Sequence, residues 1–159
     1  MEKTLKKMAK DFMAKKVIAV QENETIKALF NLLDRSGILG VPVVDAKKHV
    51  VGIVTESDLI KHFTTLKVPR SINLLGSIVY LNDISDFNKH LKEHCAETVK
   101  DLMIAPVITA SETATLLEVI DLMSENNISR LPIVNKKGEL TGIITRKDVV
   151  HQLATIKKV

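Results

Sequence analysis

A chain of 159 residues, 45% apolar and 26% charged, has the length of one domain or of two small ones sharing a core, which excludes a large barrel enzyme, and its composition excludes disorder, collagen and coiled coil. Aromatics supply only 3% and Trp is absent, so Val, Ile, Leu and Met must build the core, and stacking platforms for single-stranded nucleic acid are not expected. The net charge of +4 falls well short of a dedicated DNA-binding domain.

Lys3, Lys6, Lys7, Lys10, Lys15 and Lys16 crowd the first sixteen residues, and Leu5, Met8 and Phe12 are spaced like the apolar stripe of a short helix. The spacing predicts a solvated helix with one docked face, with an anionic partner as the other reading. No apolar signal stretch opens the chain, and no run approaches the roughly eighteen apolar residues of a membrane span. With the single Cys95 excluding an intramolecular disulfide, a cytoplasmic protein without a membrane partner is expected.

Sliding the chain by ninety residues lays Ala9 to Phe63 over Val99 to Leu153 without a gap. Lys10-Asp11-Phe12-Met13 meets Lys100-Asp101-Leu102-Met103, Pro42 meets Pro132, and Gly52-Ile53-Val54-Thr55 with Asp58 meets Gly142-Ile143-Ile144-Thr145 with Asp148. The expected organisation is an N-terminal helical extension over 1–8, repeats over 9–63 and 99–155, and an insertion over 64–98.

Within each copy, Ile26, Leu29, Phe30 and Leu33, or Leu116, Val119, Ile120 and Met123, recur at the helical period. Gly37 and Asn126-Asn127 mark the ends of these helices. A short strand follows, Val41 to Val44 or Leu131 to Val134, then a polar hairpin turn, Asp45 to Lys48 or Asn135 to Gly138. The return strand, Val50 to Val54 or Leu140 to Ile144, feeds a second helix from Thr55 or Thr145. The fold class is therefore α/β (α+β), with two pseudo-symmetric strand-helix-strand-strand-helix repeats. Each is marginal alone, so they are expected to pack sheet to sheet. In the insertion, a loop through Pro69 and a helix around Asp86 to Glu97 are expected. Its apolar patch from Ile72 to Leu81 is left to pack over the repeat or at a subunit interface.

Thr55 with Asp58 and Thr145 with Asp148 stand where a strand hands over to a helix. A hydroxyl with an acid three positions later makes a capping box, and that role alone would account for them. The same helix start attracts anions, and a carboxylate is suited to accept both hydroxyls of a ribose.

These residues resemble the tandem cystathionine-beta-synthase-type repeat, the CBS domain pair or Bateman module. Its marks here are the Lys-Asp-Phe-Met and Lys-Asp-Leu-Met openings, Pro42 and Pro132, and the runs Gly52 to Asp58 and Gly142 to Asp148, over about two-thirds of the chain. The resemblance implies a regulatory module that needs no cofactor and whose two composite clefts bind AMP, ADP, ATP or S-adenosylmethionine. Carried over, Thr145 and Asp148 would face Ile18, Ala19, Ile38, Leu39 and Gly40, while Thr55 and Asp58 would face Ile108, Thr109, Ile128 and Ser129. Arg146 and Lys147 make the Thr145 cleft the better phosphate binder, whereas Glu56 and Ser57 stand at the other, and Arg130 could serve either. A homodimer and a separate effector protein are the implied partners of a stand-alone pair.

Two alternatives remain: an interaction module whose clefts stay empty, and a small adenine-nucleotide hydrolase or transferase. No nucleophile elbow, Walker loop or dinucleotide fingerprint is present, so an enzyme is not expected. His90, His94 and Cys95 are a metal candidate whose ligands would converge poorly on a helix, and no metal is expected; His49, His62 and His151 read as ordinary helix or surface residues.

Overall fold

Both amphipathic stretches fold as the helices their period requires. The computed structural model describes residues 2–64, 71–74, 77–80, 87–89, 91 and 97–155. In chain order the elements are α1 (Glu2–Leu5), a 3-10 turn (Ala9–Asp11), β1 (Val20–Gln21), α2 (Ile26–Ser36), β2 (Gly40–Val44), β3 (Val50–Thr55) and α3 (Glu56–Thr64). The hairpin β4 (Ser71–Leu74) and β5 (Ser77–Tyr80) follows. The second half comprises α4 (Val99–Leu102), β6 (Ala110–Ser111), α5 (Leu116–Glu125), β7 (Arg130–Val134), β8 (Leu140–Thr145) and α6 (Arg146–Ala154).

Thr25 caps α2 by accepting from Ala28 N at 3.2 Å, and Gly37 closes it at φ 64. In α5 the cap is reciprocal: Glu118 Oε2 accepts from Thr115 N at 2.7 Å while Thr115 Oγ1 accepts from Glu118 N at 3.3 Å. The helix closes through Asn126 and then Asn127, which takes φ 51. Ile26, Leu29, Leu116 and Val119 are fully buried, each contributing about 1.5–3 kcal/mol of transfer free energy. Phe30 and Ile120 sit at the margins of these stripes and are only partly covered.

Each half holds a three-stranded sheet, β1-β2-β3 and β6-β7-β8, with a parallel first pair and an antiparallel second. A proline is tolerated in the central strand because β1 reaches only Val43 and Val44, leaving Pro42 without a neighbour on that side. Asp45 Oδ1 accepts from Lys47 N and His49 N at 2.8 and 2.9 Å, and Asn135 Oδ1 accepts from Lys137 N and Glu139 N at 2.9 and 3.1 Å, so the two hairpin turns are closed alike.

The halves exchange their opening segments. Ala9 N donates to Ala114 O (2.7 Å) and Ala14 N to Ile143 O (3.0 Å), and Ala9, Phe12 and Met13 pack into the second half's core. Conversely, Val99 N donates to Glu24 O (2.8 Å), Ile104 N to Ile53 O (2.9 Å), and Val99, Leu102 and Met103 complete the first half's core. The hairpin tips also join, through Val50 N to Gly138 O at 3.2 Å and Leu140 N to Lys48 O at 3.1 Å.

One expectation needs correction. The N-terminal helix does not run through Phe12: it ends at Leu5, because Met8 to Ala14 are drawn into backbone pairing with Thr115 and Ile143. In the insertion, Ser71–Leu74 and Ser77–Tyr80 pair as antiparallel strands, and residues 87–89 and 91 are helical within the expected helix. Pro69 lies outside the described residues.

Candidate functional site

The exchange decides what surrounds Thr145. Because Ala14 is pinned beside Ile143 on β8 while Val20 belongs to β1, the connecting residues must cross from one half to the other. That crossing carries Lys16, Val17 and Ile18 past the start of α6.

A cavity of about 680 Å³ opens there, within the range of small-molecule sites. Its walls come from Ala14, Lys16, Val17 and Ile18 of the crossing segment, Gly37 to Gly40 of the first half, and Ser129, Arg130, Ile143, Thr145, Arg146 and Lys147 of the second. Ile18 and Leu39 are 40% and 56% exposed, so two large apolar side chains on the cavity wall remain available to a flat apolar guest.

At the cavity floor the cap of α6 is formed. Thr145 N and Oγ1 donate to Asp148 Oδ2 at 2.8 and 2.6 Å, and Thr145 Oγ1 accepts from Asp148 N at 3.4 Å. Asp148 thus stands directly behind Thr145 rather than on the wall. In the first half, Thr55 N and Oγ1 donate to Asp58 Oδ2 at 2.8 and 2.7 Å, so the two sites share one construction.

Of the residues expected with Thr145, the structure brings together Ile18, Ile38, Leu39, Gly40, Arg146 and Lys147, while Ala19 is not on the wall. Ser129, expected toward Thr55, lines the Thr145 cavity with Arg130, because Arg130 pairs with Thr145 across β7 and β8. Arg146 does not hold its fork free: its Nε donates to Ile128 O at 3.2 Å and its Nη2 to Asn127 Oδ1 at 3.1 Å. Ile108 and Ile128 are partly buried against the second core. Thr109 borders a separate recess of about 540 Å³ with the acidic Glu118, Asp121 and Glu125.

Ala14, Lys16, Val17 and Gly37 are wall residues that the sequence reading misses. Val17 and Lys16 adjoin Ile18, but only the crossing shows that they face Thr145.

At the first-half site, Glu56 takes the place of Arg146, and its Oε2 is buried without a hydrogen-bond partner among the described residues. His49 pairs with Asp45 at 3.0 Å and His62 with Glu97 at 3.2 Å, which gives both structural partners. His90, His94 and Cys95 lie outside the described residues, and among the described residues no cluster of three metal-ligating side chains occurs. No helix among them is long and apolar enough to cross a membrane.

A family model described as CBS domain matches residues 9–65 and 99–155. An uncharacterized protein of Methanocaldococcus jannaschii is 33% identical over 153 residues, covering 92% of this chain and 90% of that protein. The inosine-5'-monophosphate dehydrogenase of the same organism is 31% identical over 146 residues, covering 92% of this chain but only 23% of the enzyme. Among solved structures, CBSX2 in complex with AMP matches with a TM-score of 0.71 and 24% identity over 95% of this chain and 98% of that one, a likeness of fold.

Proposed function

Since this chain belongs to the CBS domain family, we propose that it is a regulatory module that binds an adenosyl ligand in the cavity at Thr145. The observation that carries this reading is the meeting of two exposed apolar side chains, Ile18 and Leu39, with a capped helix start on one cavity of about 680 Å³. The base would lie against Ile18 and Leu39. Thr145 occupies Asp148 Oδ2, and the free Oδ1, set behind Thr145, would accept from the ribose hydroxyls where the sugar reaches past that side chain. That CBSX2, of the same fold, is described holding AMP supports the choice of ligand class.

Regulation would run through Arg146, which borders both this cavity and a recess of about 340 Å³ between α5 and α6. A bound anion competes with Ile128 O and Asn127 Oδ1 for its guanidinium, so occupancy alters the helix face beside it. Ile60 and Val150 hold equivalent places on α3 and α6 and are 63% and 64% exposed, which supports a homodimer in which a second copy covers them. An effector protein would read the change, and a ligand shifts such an equilibrium only by its differential affinity for the two states.

Calorimetric titration with AMP, ATP and S-adenosylmethionine tests this reading. At least one should bind the folded protein, and Asp148→Ala should weaken that binding by about 1.5–3 kcal/mol, the scale of a lost charged acceptor. Silence with all three ligands favours the second reading, in which the Thr145–Asp148 capping box is structural only.

A further inference from the structure

We infer that the Thr145 cavity selects a nucleoside polyphosphate and that the equivalent seat at Thr55 does not, so the chain binds one such ligand although it carries two copies of the site. The inference rests on the reading of this cavity as an adenosyl site and adds the class of the ligand's tail.

Four cations lie on the cavity wall: Lys16 from the crossing segment, Arg130 on β7, and Arg146 and Lys147 in the first turn of α6. No acidic side chain lines it among the described residues. Arg130 Nη1 donates to the neutral Ser129 hydroxyl at 3.2 Å, and Arg146 bonds a carbonyl and an amide oxygen, so neither charge is neutralised by a carboxylate in those bonds. Four like charges faced by the single Asp148 carboxylate behind Thr145 repel one another, and a multiply charged anion relieves that repulsion while gaining charge-assisted hydrogen bonds. An uncharged nucleoside gains neither, and a sulfonium ligand brings positive charge of its own to the four cations.

The offset of ninety residues makes the comparison inside the molecule. Lys16 corresponds to Pro106, Arg130 to Gly40, Arg146 to Glu56 and Lys147 to Ser57, so none of these four positions carries a cation in the other copy and one carries an acid; Gly40, also on the Thr145 wall, corresponds in turn to Arg130, so the Thr55 seat keeps that single cation against the four at Thr145. Glu56 keeps a buried carboxylate oxygen without a partner among the described residues, which opposes an incoming phosphate further. Gly40 also has no room for a cation in its place, since a Cβ there would come within 2.9 Å of Val54 O.

Calorimetry in EDTA with adenosine, AMP, ADP and ATP separates this inference from the reading beneath it. Affinity should climb with each phosphate, with ATP at least about tenfold tighter than AMP and one ATP bound per chain. Lys147→Gln should narrow the ratio of ATP to AMP affinity, and Arg130→Gln/Lys147→Gln should close it to about twofold; should the double variant not fold, Lys147→Gln alone carries the test. Equal affinities for AMP and ATP, an unchanged ratio in the variants, or two ATP per chain would overturn the inference while leaving the adenosyl reading in place. If none of the four binds, the adenosyl reading itself falls.

Discussion

Met13 of the first half lies against the α-carbon of Gly142 in the second, and Met103 lies in the same way against Gly52. These contacts explain why a methionine closes each opening motif and a glycine opens each Gly-Ile-hydrophobic-Thr run. A methyl group at Gly142 would fall within 2.7 Å of Met13 Cγ, and one at Gly52 within 2.9 Å of Met103 Cγ. Gly142→Ala is therefore expected to cost about 1–3 kcal/mol, the scale of an overpacked contact. Met13→Ala in the same chain should recover part of that loss, because the two residues share one space. Denaturant midpoints of both single variants and of the double variant check this, and strict additivity would refute it.

The exchanged openings predict damage at a distance in sequence. Val99 is fully buried with Val20, Leu29 and Val41 of the first half, whereas Phe12 packs with Leu116, Val119 and Leu131 of the second. Val99→Ala should remove about 2 kcal/mol and speed amide exchange in α2 and β2. Phe12→Ala should act with similar size on α5 and β7. Peptide-resolved hydrogen exchange distinguishes this from the alternative in which each variant loosens the copy to which it belongs in sequence.

The helices and hairpins are legible in the sequence because their signals are local: the 3.6-residue period of Ile26, Leu29 and Leu33, the left-handed Gly37, and the Asx turns at Asp45 and Asn135. The exchange is not legible, since Ala9 and Val99 align identically whether each packs into its own copy or the other. A shift repeat defines which residues correspond, not which copy they contact. The same gap hides Lys16 and Ala14 from the candidate site, while Thr145, Lys147, Ile18 and Leu39 are within reach because the motif marks them directly. The β4–β5 hairpin is missed because Ile72 to Val79 reads as an apolar patch without a distinctive turn residue pair.

Two equivalent caps allow stability to be separated from binding. Thr115 caps α5 and Thr145 caps α6, each through a reciprocal box, but only Thr145 faces the cavity of about 680 Å³. Thr115→Ala and Thr145→Ala should each cost about 1 kcal/mol of folding stability. Only Thr145→Ala should also weaken the adenosyl ligand found by calorimetry. Equal binding by both variants would show that the Thr145 cap carries no part of the site.

Acid should undo other caps in a defined window. The hydroxyl and then the N–H of Thr98 hold the Asp101 carboxyl below its ordinary 3.8, and the N–H and then the hydroxyl of Thr115 hold Glu118 below its ordinary 4.5. With folded values depressed, the unfolded chain takes up these protons first as pH falls. The stabilisation is therefore fully present above about pH 5.5 and drains away below pH 4.5 as the folded values are passed. Asp101→Asn/Glu118→Gln should lower stability at pH 7 yet flatten the decline between about pH 5 and 3, because neither substitute titrates there. Urea midpoints measured across that range for both proteins provide the check. An acid limb of the same steepness in the variant would mean that other carboxylates govern acid unfolding, since the reciprocal caps at Thr98 and Thr115 would then contribute no proton linkage of their own.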